Sequence, residues 1–180
     1  AVAMPQLQSN WARELVSGIK AATGERWSTE LTMVLQNGSP AEKVRAATLL
    51  TQFGPAPSDD QLIALCRDAD AGVRQFGVWL LGTRGGNAAA TVLAERLSDS
   101  DATVARRACE AFVRSGLEAP TEPVIKPLAH NDRWLRFAAR LTLERVPVAK
   151  WKGTVLAAEQ PDVVLLGSLA LGRIPNAITG

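Results

Sequence analysis

The sequence predicts an all-α solenoid of about five helix pairs, preceded by one N-terminal helix. Three observations carry that prediction. Aliphatic residues Val44, Val73, Val104, Leu135 and Val164 recur at spacings of 29, 31, 31 and 29 residues, and a fixed period near thirty marks stacked repeats. Four residues after each stands a small or short side chain, Thr48, Gly77, Ala108, Ala139 and Ser168. It lies on the same helix face and lets a neighbouring helix come close. Apolar spacing is helical rather than alternating along the chain.

Residues 5–22 predict the first helix, with Asn10 in the cap position and Leu15 as its anchor, 29 residues before Val44. Residues 1–27 are therefore read as the second helix of a truncated repeat, and 28–180 as five full repeats in one continuous solenoid. The first helix of each full pair is marked in turn by Leu31/Val34/Leu35, Leu62/Leu65/Cys66, Val92/Leu93/Leu97, Val124/Pro127/Leu128 and Trp151/Val155/Leu156. The second helices carry the anchors. Ser39-Pro40-Ala41-Glu42 reads as a capping box with proline at the first helical position, and Gln160-Pro161 as a similar start. Five residues before the anchors stand Ser39, Asp68, Asp99, His130 and Glu159; serine and aspartate there predict N-caps. Gly54, Gly85 and Gly116 are the expected stops. Pro55, Pro57, Pro120, Pro123 and Pro147 punctuate the links.

One pair cannot cover its own apolar face, so the pairs must stack, each buried Leu or Val contributing roughly 1.5–3 kcal/mol. The last helix, DVVLLGSLALGR, has no charge between Asp162 and Arg173. That predicts a further repeat or a covering domain beyond Gly180, in a longer parent protein.

A 47% hydrophobic composition supplies a core, and a net charge of +2 gives no global field for nucleic acid. Basic charge gathers in residues 106–152, with ten Lys or Arg against five acids. No apolar run is long enough to span a membrane, and AVAMPQLQ lacks a basic segment followed by an apolar stretch. Cys66 and Cys109 lie in no metal or haem spacing; they read as buried apolar residues, a disulfide between them staying open. His130 is the one histidine, without the partners of a metal site. Neither GxSxG nor a phosphate-binding glycine loop occurs. No catalytic residue, metal site or cofactor is predicted. Gly82–Ala90 reads as a helix stop and linker, Asp59-Asp60 as a helix start, and Trp79 as core. Trp134, beside Arg133 and Arg136, reads as packing or as a recognition residue.

The segments DADAGVRQFGVWLLG (68–82), DSDATVARRACEAF (99–112) and NDRWLRFAARLTLER (131–145) resemble HEAT repeats, in particular those of the PBS lyase HEAT-like type. The resemblance covers most of residues 28–173. It implies a right-handed α–α superhelix with the second helices on the concave side. It also implies a structural ladder between cap acids and the arginine after each anchor, here Asp68, Asp99, Arg45, Arg74 and Arg136, interrupted at Ala105, Leu165 and His130. The concave side would carry Arg106, Arg107, Trp134, Arg136 and Arg140, a groove for carboxylate or phosphate. The stretch DRWLRFAARLTLERVPVAKW is similar to HEAT segments of large secreted bacterial proteins that carry c-type haem domains elsewhere, which implies an extracytoplasmic setting. No haem-attachment motif lies in this chain. The leading functional expectation is a non-catalytic scaffold holding a protein segment, an acidic peptide, or another domain of the parent chain. A bilin lyase or isomerase and a DNA-binding helical-repeat solenoid are the alternatives.

Overall fold

The computed structural model describes residues 7–175. Residues 5–6 of the expected first helix and 176–180 of the expected last repeat lie outside the described residues. Within them the chain is helical, with no strand. A lone helix, α1 (Asn10–Thr23), precedes five pairs. The first helices are α2 (Arg26–Asn37), α4 (Asp59–Cys66), α6 (Asn87–Arg96), α8 (Thr121–Ile125, continued by a 3₁₀ turn Lys126–Ala129) and α10 (Lys152–Leu156, preceded by a 3₁₀ turn Val148–Lys150). The second helices are α3 (Pro40–Phe53), α5 (Ala71–Arg84), α7 (Ala102–Ser115), α9 (Arg133–Leu143) and α11 (Pro161–Arg173). The fold is an α solenoid.

The second helices begin at Ser39, Asp70, Asp101, Asp132 and Gln160. Asp70 Oδ1 accepts the Val73 N–H at 3.0 Å, Asp101 Oδ1 that of Val104 at 3.0 Å, and Asp132 Oδ1 that of Leu135 at 2.7 Å. This corrects the expected caps. Asp68, Asp99 and His130 stand two residues earlier and accept the N–H of the true cap, each at 2.9 Å. Glu159 precedes its cap by one residue. At α3 the expected box is present: Glu42 accepts from the Ser39 N–H at 2.9 Å and its hydroxyl at 2.7 Å, which holds the Glu42 carboxyl below its ordinary range.

Counting from these caps puts every pair in one register. Seven residues on come Ala46, Gly77, Ala108, Ala139 and Gly167, all small and buried. Eleven residues on come Leu50, Leu81, Phe112, Leu143 and Leu171, the large core side chains. The anchors Val73, Val104 and Leu135 fit. Those of the outer pairs do not: Val44 and Val164 are only half-buried, and Ser168 is exposed where Gly167 is buried. A 28-residue step from Asp132 to Gln160, against 31 for the three before it, produces the slip in the last pair. The same correction applies to α1. Its cap is Ser9, which accepts from Ala12 N–H at 3.2 Å, and it buries Ala12 and Val16 while Leu15 is exposed.

The small column brings second helix onto first. A Cβ on Gly77 would lie 2.7 Å from the Cys66 backbone nitrogen, and one on Gly167 would overlap Val155. Gly82 lets α5 approach Ala111 of α7 across the junction between pairs. Trp27 closes the first pair, donating its ring N–H to Gly54 O at 2.8 Å, and buried Trp151 pins the link between the last two pairs, donating to Val146 O at 3.1 Å. Gly54, Gly85 and Gly116 follow α3, α5 and α7 with φ of 69°, 71° and 71°, a conformation that favours glycine. Of Gly82–Ala90 only Gly85 and Gly86 are linker; the rest is helix.

Cys66 and Cys109 are buried free thiols. Burial pushes both up to about 12, so neither ionises near neutrality. A thiol reagent at about pH 8 is expected to leave both unmodified in the folded protein and to modify both in urea. Modification of the native protein at the rate of a free thiol would contradict the packing described here.

Candidate binding face of the second helices

The side chains five, six and nine residues after each cap are half-buried or exposed, except for buried Ala138. Along α3 to α11 they form rows: Val44, Arg45 and Thr48; Gln75, Phe76 and Trp79; Arg106, Arg107 and Glu110; Phe137, Ala138 and Leu141; Leu165, Leu166 and Leu169. Trp79, expected in the core, belongs to this face and is 39% exposed. It follows buried Val78 by one residue, and one residue turns a helix by 100°, enough to carry it out of the core. Phe76 packs on it, ring centroids 5.6 Å apart.

Two grooves open here. One, of about 380 Å³, lies between α3, α5 and α7 over Val44, Phe76, Trp79 and Arg107. The other, of about 250 Å³, lies between α7 and α9 and is lined by Arg106, Glu110, Val113, Trp134, Phe137 and Leu141. Trp134 is 52% and Phe137 50% exposed. Arg133 lies over the Trp134 ring, 4.5 Å from its centroid. Between the grooves, Glu110 accepts from Arg107 at 2.9 Å and faces Arg106 Nε at 3.6 Å. One carboxylate shared by two guanidiniums leaves the ridge positive. Arg45, on α3, is a separate cation: its Nε and Nη2 have no hydrogen-bond partner, and burial lowers its pKa from the usual arginine value.

The structure separates the expected groove residues. Arg106, Arg107 and Trp134 lie on this face. Arg140 does not: it is buried, ion-paired to Glu144 and 5.2 Å from the Phe137 ring. Arg136 turns to backbone, donating to His130 O at 2.7 Å and Asn131 O at 3.3 Å. Phe137 and Phe76, missed from sequence, complete the grooves. Both stand at the outward offsets from the cap, which only the corrected register makes visible.

The charged rungs run along another edge. Lys43 Nζ meets Asp68 Oδ2 at 2.7 Å, and Arg74 holds both Asp99 oxygens at 2.9 Å, with Arg96 on the same carboxylate at 3.0 Å. The expected Arg45 is not part of this row. It lies six residues after its cap, whereas Lys43 and Arg74 lie four after theirs. Burial works to raise both carboxyls, but the Lys43 or Arg74 hydrogen bond, the following backbone N–H and neighbouring cations outweigh it and hold Asp68 and Asp99 below the ordinary value. A depressed folded-state pKa contributes stability above the unfolded value near 4, lost as pH falls through the folded one. Urea midpoints should therefore be flat above about pH 5 and decline below about pH 4. In R74M, which removes a rung, that decline should be shallower; an unchanged slope would mean that the rung does not set it.

Among the described residues no group of three or more His, Cys, Asp or Glu is arranged to hold a metal, and no helix is long and apolar enough to cross a membrane. With the stacked pairs and their columns in view, comparison with family models matches residues 28–113 to HEAT repeats. This stretch is similar to a run of HEAT repeats. The match spans the pairs from α2 to α7 and is to HEAT repeats in general. The two pairs beyond it keep the cap register, but their first helices are cut to five residues. Comparison with curated proteins returns no match. HEAT repeats are in general protein-interaction scaffolds, and the aromatic and arginine content of the face described above is that of interface cores.

Proposed function

We propose that the protein is a non-catalytic scaffold that holds a protein segment on the face of its second helices. One observation supports this reading above others: two apolar grooves flank a ridge of Arg106 and Arg107 that carries a single carboxylate. A segment bearing apolar side chains beside an acidic one matches that order of surfaces, whether it comes from a separate protein or from another domain of the parent chain. Helix α1 keeps the offsets of the second helices, Ser9 then Ala12 and Val16, which supports reading it as part of one continuous solenoid.

Selection from a displayed peptide library tests the proposal. Acidic peptides with flanking apolar residues should be enriched. W134A/F137A should weaken the best of them by about 30-fold or more, the loss of a hot spot worth about 2 kcal/mol. Charge reversal in R106E/R107E should remove the acidic preference. Saturable bilin absorbance would favour a lyase, and steeply salt-dependent DNA binding a nucleic-acid solenoid; either would replace this reading.

A further inference from the structure

The row of rungs is interrupted in a way that leaves a cavity. Each cation stands four residues after one cap, and its acid two residues before the next. At the third junction both members are replaced together: Ala105 stands where Arg74 does, and His130 where Asp99 does. At the fourth, Arg136 is present but Ala158 stands in the acid position. A cavity of about 750 Å³ opens across these two junctions, within the range of small-molecule sites. Its walls include Ile125, Leu135 and Val163, and its polar lining includes Lys126, His130 and Thr154.

The charges in it are unevenly satisfied. Asp99 is the carboxylate of the lining, and it is buried against Arg74 and Arg96. Lys126 enters no ion pair among the described residues. His130 Nδ1 accepts the Asp132 N–H at 2.9 Å, so the neutral ring carries its proton on Nε2 and keeps that donor free. An entering anion thus meets one free ammonium and a ring N–H, and the one acid of the lining is already neutralised. An entering cation finds no free carboxylate in the lining.

We propose that this cavity is a binding site, separate from the second-helix face, for a small organic anion: a carboxylate carried on an apolar chain. The chain would lie on Ile125, Leu135 and Val163, and the carboxylate would take Lys126 and the His130 Nε2–H.

Octanoate and octylamine, equal in chain and opposite in charge, are the probes, titrated by calorimetry into the whole chain. Octanoate should bind saturably and octylamine should not. K126M should weaken octanoate about tenfold, the worth of one charge-assisted hydrogen bond. A105R/H130D rebuilds the rung in the positions of Arg74 and Asp99 and should abolish binding with helix content unchanged by circular dichroism. If that double variant does not fold, K126M, at an exposed residue, decides. No octanoate binding to the native protein, equal binding of octylamine, or unweakened binding in K126M or in folded A105R/H130D would each overturn the proposal.

Discussion

Phe112→Ala is expected to lower stability by about 3–5 kcal/mol, the usual loss for truncating a buried aromatic. Phe112 is 2% exposed and is the largest member of the column eleven residues after each cap. It sits in α7, the central second helix, which packs on both α5 and α9. Solenoid stability is carried by each repeat and its two interfaces, so loosening α7 weakens both neighbours. Urea unfolding followed by circular dichroism should show a lower midpoint, and a broader transition as the two ends uncouple. The same truncation at Leu171, in the outermost described helix, should cost less than at Phe112. A loss below about 1 kcal/mol for Phe112→Ala would mean that the central pair does not couple the array.

Gly77→Ala should destabilise by about 2 kcal/mol or more, although alanine is the better helix former. The added Cβ would sit 2.7 Å from the Cys66 nitrogen and 2.9 Å from the Leu65 carbonyl carbon. Both are backbone atoms of α4 and cannot rotate away, so the pair must part. Gly18 supplies the control. It lies within α1 with nothing within 4 Å of a Cβ, and Gly18→Ala should stabilise by about 0.5–1 kcal/mol. Opposite signs for one chemical change would locate the effect in helix contact rather than in propensity; equal signs would refute the close approach.

Much of the fold was legible because its signals are local. A cap acts within three residues and a helical face repeats within four, so the pairs, the stops at Gly54, Gly85 and Gly116, and the period near thirty could be read along the chain. The inner anchors Val73, Val104 and Leu135 were right for that reason. Aligning on aliphatic residues failed at the outer pairs, where Val44 and Val164 happen to lie near the true core positions. His130 shows the limit of residue type: it does with Nδ1 what Asp68 and Asp99 do with an oxygen.

The candidate face was legible only in part. Arg106, Arg107 and Trp134 could be named from composition and spacing, but not the fate of their neighbours. Arg140 looked equally free and is buried on Glu144; Arg45 looked like Arg74 and has no acid. Arg140 meets its acid one turn along the chain, whereas the acid that Arg74 finds and Arg45 lacks lies 25 residues away, placed by how one pair rests on the next. By itself the sequence determined the repeat, its helices and their ends, because short-range hydrogen bonding and amphipathic spacing are written within a turn or two. The tertiary structure alone decided which cation meets which acid, which aromatic faces water, and where a missing rung leaves a cavity, because those follow from stacking geometry between residues far apart in the chain.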